Sequence, residues 1–263
     1  MDTSSLFSLA GRTALITGGS RGIGLMIARG FLDQGAKVYI SSRKADICDA
    51  VAEELGDHCF SLPMDVSTVD GCRALADAYA SKESALDILV NNAGAAWGAP
   101  FEAFPEKGWD KVMELNVKAP FFLTQAFFPL LRAAARADKP GKVINIASID
   151  GLRLNPWETY SYQASKAAVI NLTKRTAARL IEDHINVTAI CPGAFPSDMN
   201  QAARDHGDSV ADAIPNKRIG IDEDMAGVAI YLAARSGDYV VGESIAVDGG
   251  VVNAALPQSW EPA

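Results

Sequence analysis

The chain alternates between short runs of consecutive apolar residues and longer stretches in which apolar residues recur every three or four positions. The short runs predict strands at Thr13–Thr17, Lys37–Ser41, Cys59–Pro63, Ile88–Asn91, Lys142–Ala147, Asn186–Cys191 and Ser244–Val247. Unbroken apolar runs of this length suit strands buried on both faces, whereas the three-to-four recurrence suits helices with one apolar stripe. Between Lys37 and Cys191 the strands are separated by segments of helix length. That alternation predicts an α/β architecture: a seven-stranded parallel sheet, doubly wound and flanked by helices. Seven strands use almost the whole chain, and no repeat, linker or shift in composition divides it, so residues 1–263 are read as one domain.

Composition narrows the function classes. With 24 Lys and Arg against 32 Asp and Glu, the net charge is −8 over 263 residues. A nucleic-acid surface needs a concentrated basic excess, so nucleic acid is not an expected partner. No apolar run approaches the length of a membrane span, and the first residues lack a secretory pattern, so a soluble cytoplasmic protein is expected. Cys48, Cys59, Cys72 and Cys191 form no CxxC pair and no His completes a zinc pattern, so no metal is expected and the thiols are read as buried small hydrophobes.

The first strand runs into Gly18-Gly19-Ser20-Arg21-Gly22-Ile23-Gly24, and an amphipathic helix follows. Gly18 permits a tight turn, Gly22 allows a diphosphate close to the backbone, and Gly24 allows close packing of helix on sheet. The helix N-terminus adds unpaired amides and partial positive charge, so Gly18, Ser20, Arg21, Gly22, Ile23 and Gly24 are candidate cofactor ligands. The second strand ends in Ser42-Arg43, with no carboxylate to accept bonds from a free ribose 2′-hydroxyl. Arg21 and Arg43 beside Ser42 suit a 2′-phosphate, so NADP(H) is favoured over NAD(H). Asp65 and Val66 follow the third strand, where Asp65 either holds an adenine amino group or caps the next helix. Asn91-Asn92-Ala93-Gly94 ends the fourth strand at the carboxyl edge, where such sheets bind ligands; a helix-capping turn is the alternative.

Residues 108–137 form a long helical pattern interrupted at Pro120 and Pro129, with Asn116 on an otherwise apolar face. Such an Asn points to solvent or marks a kink, and Pro120 would free the Asn116 carbonyl four residues back to hold a water. The fifth strand delivers Ser148 to the carboxyl edge, and Tyr162 precedes Lys166 by four residues, one helical turn. An ammonium beside a phenol favours the phenolate and is expected to lower its pKa.

In order and spacing, Gly18/Gly22/Gly24, Asn91 to Gly94, Asn116, Ser148, Tyr162/Lys166 and Pro192-Gly193 resemble the short-chain dehydrogenase/reductases, over essentially the whole chain. The resemblance implies a Rossmann-type fold, with Asn116, Ser148, Tyr162 and Lys166 as the catalytic four. It implies cofactor contacts from Asn92, Ala93, Gly94, Pro192, Gly193 and Ser197, the last standing where the family often has Thr. It also implies a lid over about 194–215 and a homotetramer built on the helices after the fourth and fifth strands. Within the family, Ser20 to Gly24 and Trp97-Gly98-Ala99 look like 3-oxoacyl reductases of the rhamnolipid type.

Carried over, these roles imply reduction of a ketone by NADPH. Tyr162 would act as general acid, Ser148 as a donor to the carbonyl oxygen, Lys166 as ribose ligand, and Asn116 as holder of a water that reprotonates Lys166. Trp97, Leu154, Trp157, Phe195 and Met199, with Leu152, are candidates for an apolar substrate wall; core packing is the alternative for the aromatics. The substrate is expected to be a small carbonyl or alcohol compound, possibly thioester-linked. A carrier protein would need basic residues at the rim, such as Arg132, Arg136 and Lys139 or Lys174, Arg175 and Arg179. The alternatives are an alcohol, polyol or steroid dehydrogenase working in the oxidising direction and a non-catalytic NADP-binding sensor.

Overall fold

A computed structural model describes Thr3, residues 5–198 and residues 200–255. Its centre is a parallel sheet of seven strands in the order β3-β2-β1-β4-β5-β6-β7. The strands are β1 (Thr13–Thr17), β2 (Lys37–Ser41), β3 (Cys59–Ser61), β4 (Ile88–Asn91), β5 (Gly141–Ile146), β6 (Ile185–Pro192) and β7 (Ser244–Val247). The expected architecture is therefore present, with boundaries shifted at three strands. β3 stops at Ser61, two residues before Pro63, which has no N–H to give to a ladder.

Alternation within each strand divides the core between the two faces of the sheet. Ala14 and Ile16 of β1 join Val38, Ile40, Val90 and Ile144 on one face. Leu15 joins Tyr39, Leu89, Val143 and Val187 on the other. The first face is covered by α1 (Gly22–Asp33), α2 (Ala45–Leu55) and α9 (Asp222–Ala233). The second is covered by α3 (Val69–Ala80), α5 (Ala119–Ala134) and α6 (Tyr160–Leu180). Fully burying one of these large apolar side chains is worth about 1.5–3 kcal/mol, so both faces must be covered for the sheet to persist. Gly30 brings α1 against α9: a Cβ there would lie 2.6 Å from that of Ala226.

Strand order reverses between β1 and its neighbour β4, both of which end at the same edge. Such a reversal opens a crevice at the carboxyl edge of the sheet, where ligands of open α/β sheets bind.

The helical stretch after β4 departs from the sequence reading. It consists of α4 (Glu106–Met113), a π-helical turn over Glu114–Lys118, and α5. The interruption is a widened turn around Asn116; Pro120 sits in the first turn of α5, where its missing N–H costs little, and Pro129 lies inside α5 without ending it. Two short helices, α7 (Gln201–Asp205) and α8 (Gly207–Asp212), lie between β6 and α9. Among the described residues no helix is long and apolar enough to cross a membrane. The four cysteines are buried and free, and burial pushes the thiols of Cys59, Cys72 and Cys191 up to about 11, so they pack as neutral side chains.

Candidate active site

The loop from β1 to α1 is built by close approach. Gly18 has φ 67° and Gly22 φ 51°, left-handed values that side chains rarely adopt. A Cβ on Gly24 would lie 2.3 Å from the Gly18 carbonyl oxygen and 2.5 Å from Asn92 Nδ2. Asn92 fastens this loop: its Nδ2 donates to the carbonyls of Thr17 at 2.9 Å and Gly18 at 3.1 Å. The amides of Asn92 and Ala93 both donate to Thr17 Oγ1 at 3.1 Å. The Asn-Asn-Ala-Gly segment is thus a clamp between β4 and β1, and not a helix cap. Asn91 turns the other way, into a buried network: its Nδ2 donates to Asn145 Oδ1 at 2.9 Å, and Asn145 Nδ2 donates to Thr173 Oγ1 at 2.9 Å.

An open groove of about 910 Å³ is bordered by Arg21, Arg43, Ser67, Gly94, Ala95 and Asp198. The side with two arginines and small residues fits a phosphorylated dinucleotide, whereas the side formed by α4 and the π-helical turn carries Glu106, Lys107, Asp110, Lys111 and Glu114. Ser42 is half-buried and Arg43 exposed at the end of β2. Ser20 is buried, and Ile23, in the first turn of α1, packs against the core. Asp65 is not the cap of α3; Thr68 is, accepting from the Gly71 amide at 3.0 Å. Asp65 instead accepts from the Ser67 amide at 3.0 Å, and Val66 beside it is buried in the core. Gly193 ends β6 with its amide on the Val247 carbonyl at 2.9 Å, and a Cβ there would meet Asp248 Cα at 2.7 Å. Ser197 comes close to Gly22, whose Cβ would lie 3.3 Å from that of Ser197.

Beyond Gly94, which borders the groove, Ser148, Tyr162, Lys166 and Asn116 converge. The Asp150 amide donates to Ser148 Oγ at 3.1 Å, which leaves the hydroxyl hydrogen to be given away. Burial pushes the Tyr162 phenol up to about 12, against the Ser148 hydroxyl hydrogen-bonded to it, which pulls the value down. Lys166 is buried, and this pushes its ammonium down to about 8. Its Nζ donates to the Ile146 carbonyl at 2.8 Å and stands 5.5 Å from the centre of the Tyr162 ring. The expected lowering of the phenol by Lys166 is therefore corrected: desolvation dominates both groups and favours the neutral form of each.

Asn116 is buried, not turned to solvent. Its Oδ1 accepts from the Ala95 amide at 2.8 Å, and its Nδ2 donates to the Ala95 carbonyl and to Ser165 Oγ, each at 2.9 Å. Ser165 Oγ in turn donates to the Tyr162 carbonyl at 2.7 Å. Sequence reasoning missed Ser165; its position one residue before Lys166 on the buried side of α6 was the available signal. Gly94 lies between the groups: a Cβ there would be 3.3 Å from Asn116 Oδ1 and 3.9 Å from Lys166 Nζ.

The substrate candidates separate. Leu154 is 86% and Trp157 65% exposed on the turn leading into Tyr162, with Leu152 also exposed. Phe195 is corrected to a core residue: it is 3% exposed, with its ring where a side chain on Gly220 would stand. Trp97 packs flat on Gly108 of α4, with Lys111 Nζ 5.5 Å from its ring. Met199 lies outside the described residues. Of the basic rim candidates, Arg132 and Arg179 pair with Asp183, Arg136 with Asp138 and Lys139 with Asp87. Lys139 precedes β5 at the amino edge of the sheet, opposite the site.

A family model described as short chain dehydrogenase matches residues 12–208. Over 249 residues the chain is 47% identical to the rhamnolipids biosynthesis 3-oxoacyl-acyl-carrier-protein reductase of Pseudomonas aeruginosa, covering 93% of this chain and 97% of that protein. The structure of a Pseudomonas aeruginosa RhlG/NADP active-site complex superposes with a TM-score of 0.91 at 45% identity, covering 95% of this chain and 99% of that one. A gluconate 5-dehydrogenase from Burkholderia cenocepacia in complex with NADP and tartrate gives a TM-score of 0.88 at 35% identity, covering 95% and 99%.

Proposed function

The chain belongs to the short chain dehydrogenase family, and we propose that it is an NADP(H)-dependent reductase of apolar ketones, with 3-oxoacyl thioesters as the preferred substrate class. The observation that carries this reading is the meeting of Ser148, Tyr162 and Lys166 just beyond Gly94, which lines the same groove as Arg21 and Arg43. The fit of that groove to a phosphorylated dinucleotide supports NADP(H), as does the NADP held by the similar RhlG structure.

The glycine loop with Arg21 and Arg43 would hold NADPH, which when bound would supply the hydride for the substrate carbonyl carbon. Tyr162 gives its proton to the carbonyl oxygen as negative charge develops there, the general-acid role for which a neutral phenol is prepared. Ser148 donates its hydroxyl hydrogen to the same oxygen, its Oγ held by the Asp150 amide. Lys166, fixed on the Ile146 carbonyl, keeps further N–H donors for the ribose. Both amide hydrogens of Asn116 are engaged, so the water of the proton path falls to its backbone carbonyl. Residues 194–215 act as the lid over the substrate.

The exposed Leu152, Leu154 and Trp157 favour an acyl chain over a sugar acid, which calls for polar partners. Assembly as a homotetramer is part of the same reading, supported by Trp109 and Phe121 exposed on α4 and α5. Ala134 and Ala177 are buried within the chain, which leaves Ala133 and Ala178 for any close approach. The test is a panel of 3-oxoacyl thioesters of increasing chain length, apolar ketones and sugar acids, with NADPH consumption or NADP reduction followed by absorbance. Turnover that rises with apolar chain length is expected; faster oxidation of sugar acids would overturn the substrate class.

A further inference from the structure

Arg21 stands in the glycine loop, where the proposed function would have it meet the ribose 2′-phosphate. In the structure its Nη1 donates instead to Asp198 Oδ2 at 2.7 Å, a contact between residues 177 positions apart in the chain. Asp198 is held for this by its own turn: the Asn200 amide donates to Ser197 Oγ at 3.0 Å, and Ser197 lies against Gly22. The other carboxylate oxygen, Oδ1, accepts from Arg204 Nη1 at 2.8 Å. Arg204 is also bound by both carboxylate oxygens of Asp205, at 2.8 and 3.1 Å. Arg21, Asp198, Arg204 and Asp205 thus form a chain of four charges, and Arg21 is its one cation without a second acid among the described residues. Arg21, Arg43 and Asp198 border the same groove, and Arg43 makes no ion pair among the described residues.

We propose that Asp198 is a specificity-determining residue for the cofactor: it competes with the 2′-phosphate for Arg21 and so reduces the margin by which NADP(H) is preferred over NAD(H). The inference rests on the NADP(H) reading above. A guanidinium can meet a carboxylate or a phosphate edge-on with two parallel bonds, but one edge serves one partner at a time. The dianionic phosphate must therefore displace the Asp198 carboxylate or approach beside it against like charge. NADH has no phosphate there, so its binding neither needs Arg21 nor disturbs Asp198. Both side chains of the pair are largely exposed, at 69% and 55%, so its strength is modest and salt-dependent.

The substitution Asp198→Asn removes the charge while keeping the shape of the turn. Dissociation constants for NADPH and NADH are to be measured on the full chain by quenching of tryptophan fluorescence, for the wild type, Asp198→Asn, Arg21→Gln and the double variant. Asp198→Asn should tighten NADPH binding about twofold to fivefold, the range a surface ion pair of up to about 1 kcal/mol allows, and leave NADH binding unchanged. In the Arg21→Gln background the same substitution should leave NADPH binding unchanged, which separates release of Arg21 from a general change of field. Weaker NADPH binding in Asp198→Asn, no change, or equal tightening of both nucleotides would overturn the inference while leaving the proposed function standing. Failure of the wild type to bind NADPH would overturn both.

Discussion

Asn116 Nδ2 donates to Ser165 Oγ at 2.9 Å, joining the π-helical turn before α5 to the helix that carries Tyr162 and Lys166. Ser165 passes the connection to the Tyr162 carbonyl, and Asn116 also holds both backbone groups of Ala95. Helix α6, the turn behind it and the β4 edge are thereby fixed to one another through a single buried amide.

Asn116→Ala should therefore cost about 2–4 kcal/mol of unfolding free energy, since it strands several buried polar groups at about 1 kcal/mol or more each. Ser165→Ala, which strands fewer, should cost about 1–2 kcal/mol. Urea denaturation of the two variants measures both, and a smaller loss for Asn116→Ala than for Ser165→Ala would contradict the network.

Stability should depend on pH through Lys166. The unfolded chain keeps this proton up to the ordinary lysine value of 10.5, whereas the folded chain releases it near 8. Between those values the unfolded state binds more protons, so stability rises with pH; below about pH 8 the cost of burying the charge is present in full. The gain is about 3 kcal/mol for a shift of this size. Tyr162 acts in the opposite sense only above pH 10, where the unfolded phenol ionises and the folded one does not. Denaturation midpoints from pH 7 to pH 10 should climb for the wild type relative to Lys166→Met. Parallel curves would remove the claim that Lys166 is buried with its charge unfavoured.

The sheet was legible because strands covered on both faces must be largely apolar, and β1, β4 and β6 are. Ser148, Tyr162 and Lys166 were legible because one helical turn and one strand end bring them together by local geometry. The π-helical turn was not, because its five-residue hydrogen bonding follows no period in the side chains; Pro120 marked the place of the interruption but not its form. The links from Asn92 to Gly18 and from Arg21 to Asp198 span 74 and 177 positions, distances over which side-chain pattern carries no information. Phe195 and Trp157 looked alike as aromatics; only packing put one in the core and the other at the surface.

Gly24→Ala should damage the loop from two sides at once. The added methyl would meet the Gly18 carbonyl at 2.3 Å and Asn92 Nδ2 at 2.5 Å, and neither can withdraw without opening the β1–β4 clamp. A loss of about 1–3 kcal/mol is expected from the overpacking, with weaker NADPH binding among the molecules that remain folded. Calorimetric titration at a temperature well below the unfolding midpoint reads the second effect, and unchanged affinity would show that the loop tolerates a side chain there.

Away from the site, Lys142 is buried and pairs with Asp238 at 2.7 Å, and burial holds its ammonium below the ordinary lysine range. Asp238→Ala leaves that cation without its partner and should cost about 3 kcal/mol, whereas Lys142→Met removes the buried charge and should be close to neutral. Thermal and urea unfolding of the two variants give the order; equal losses would mean that the pair is worth its full attraction.

The central claim is that the Tyr162 phenol is the proton donor of a reductase whose NADPH site is separate from that proton. Tyr162→Phe keeps the ring over Lys166 and removes only the hydroxyl. Initial rates with the best 3-oxoacyl thioester, measured together with the dissociation constant for NADPH, should show turnover reduced by a factor of about 10²–10⁴ and NADPH affinity within about twofold. Turnover within about tenfold of the wild type, with NADPH still bound, would contradict the assignment.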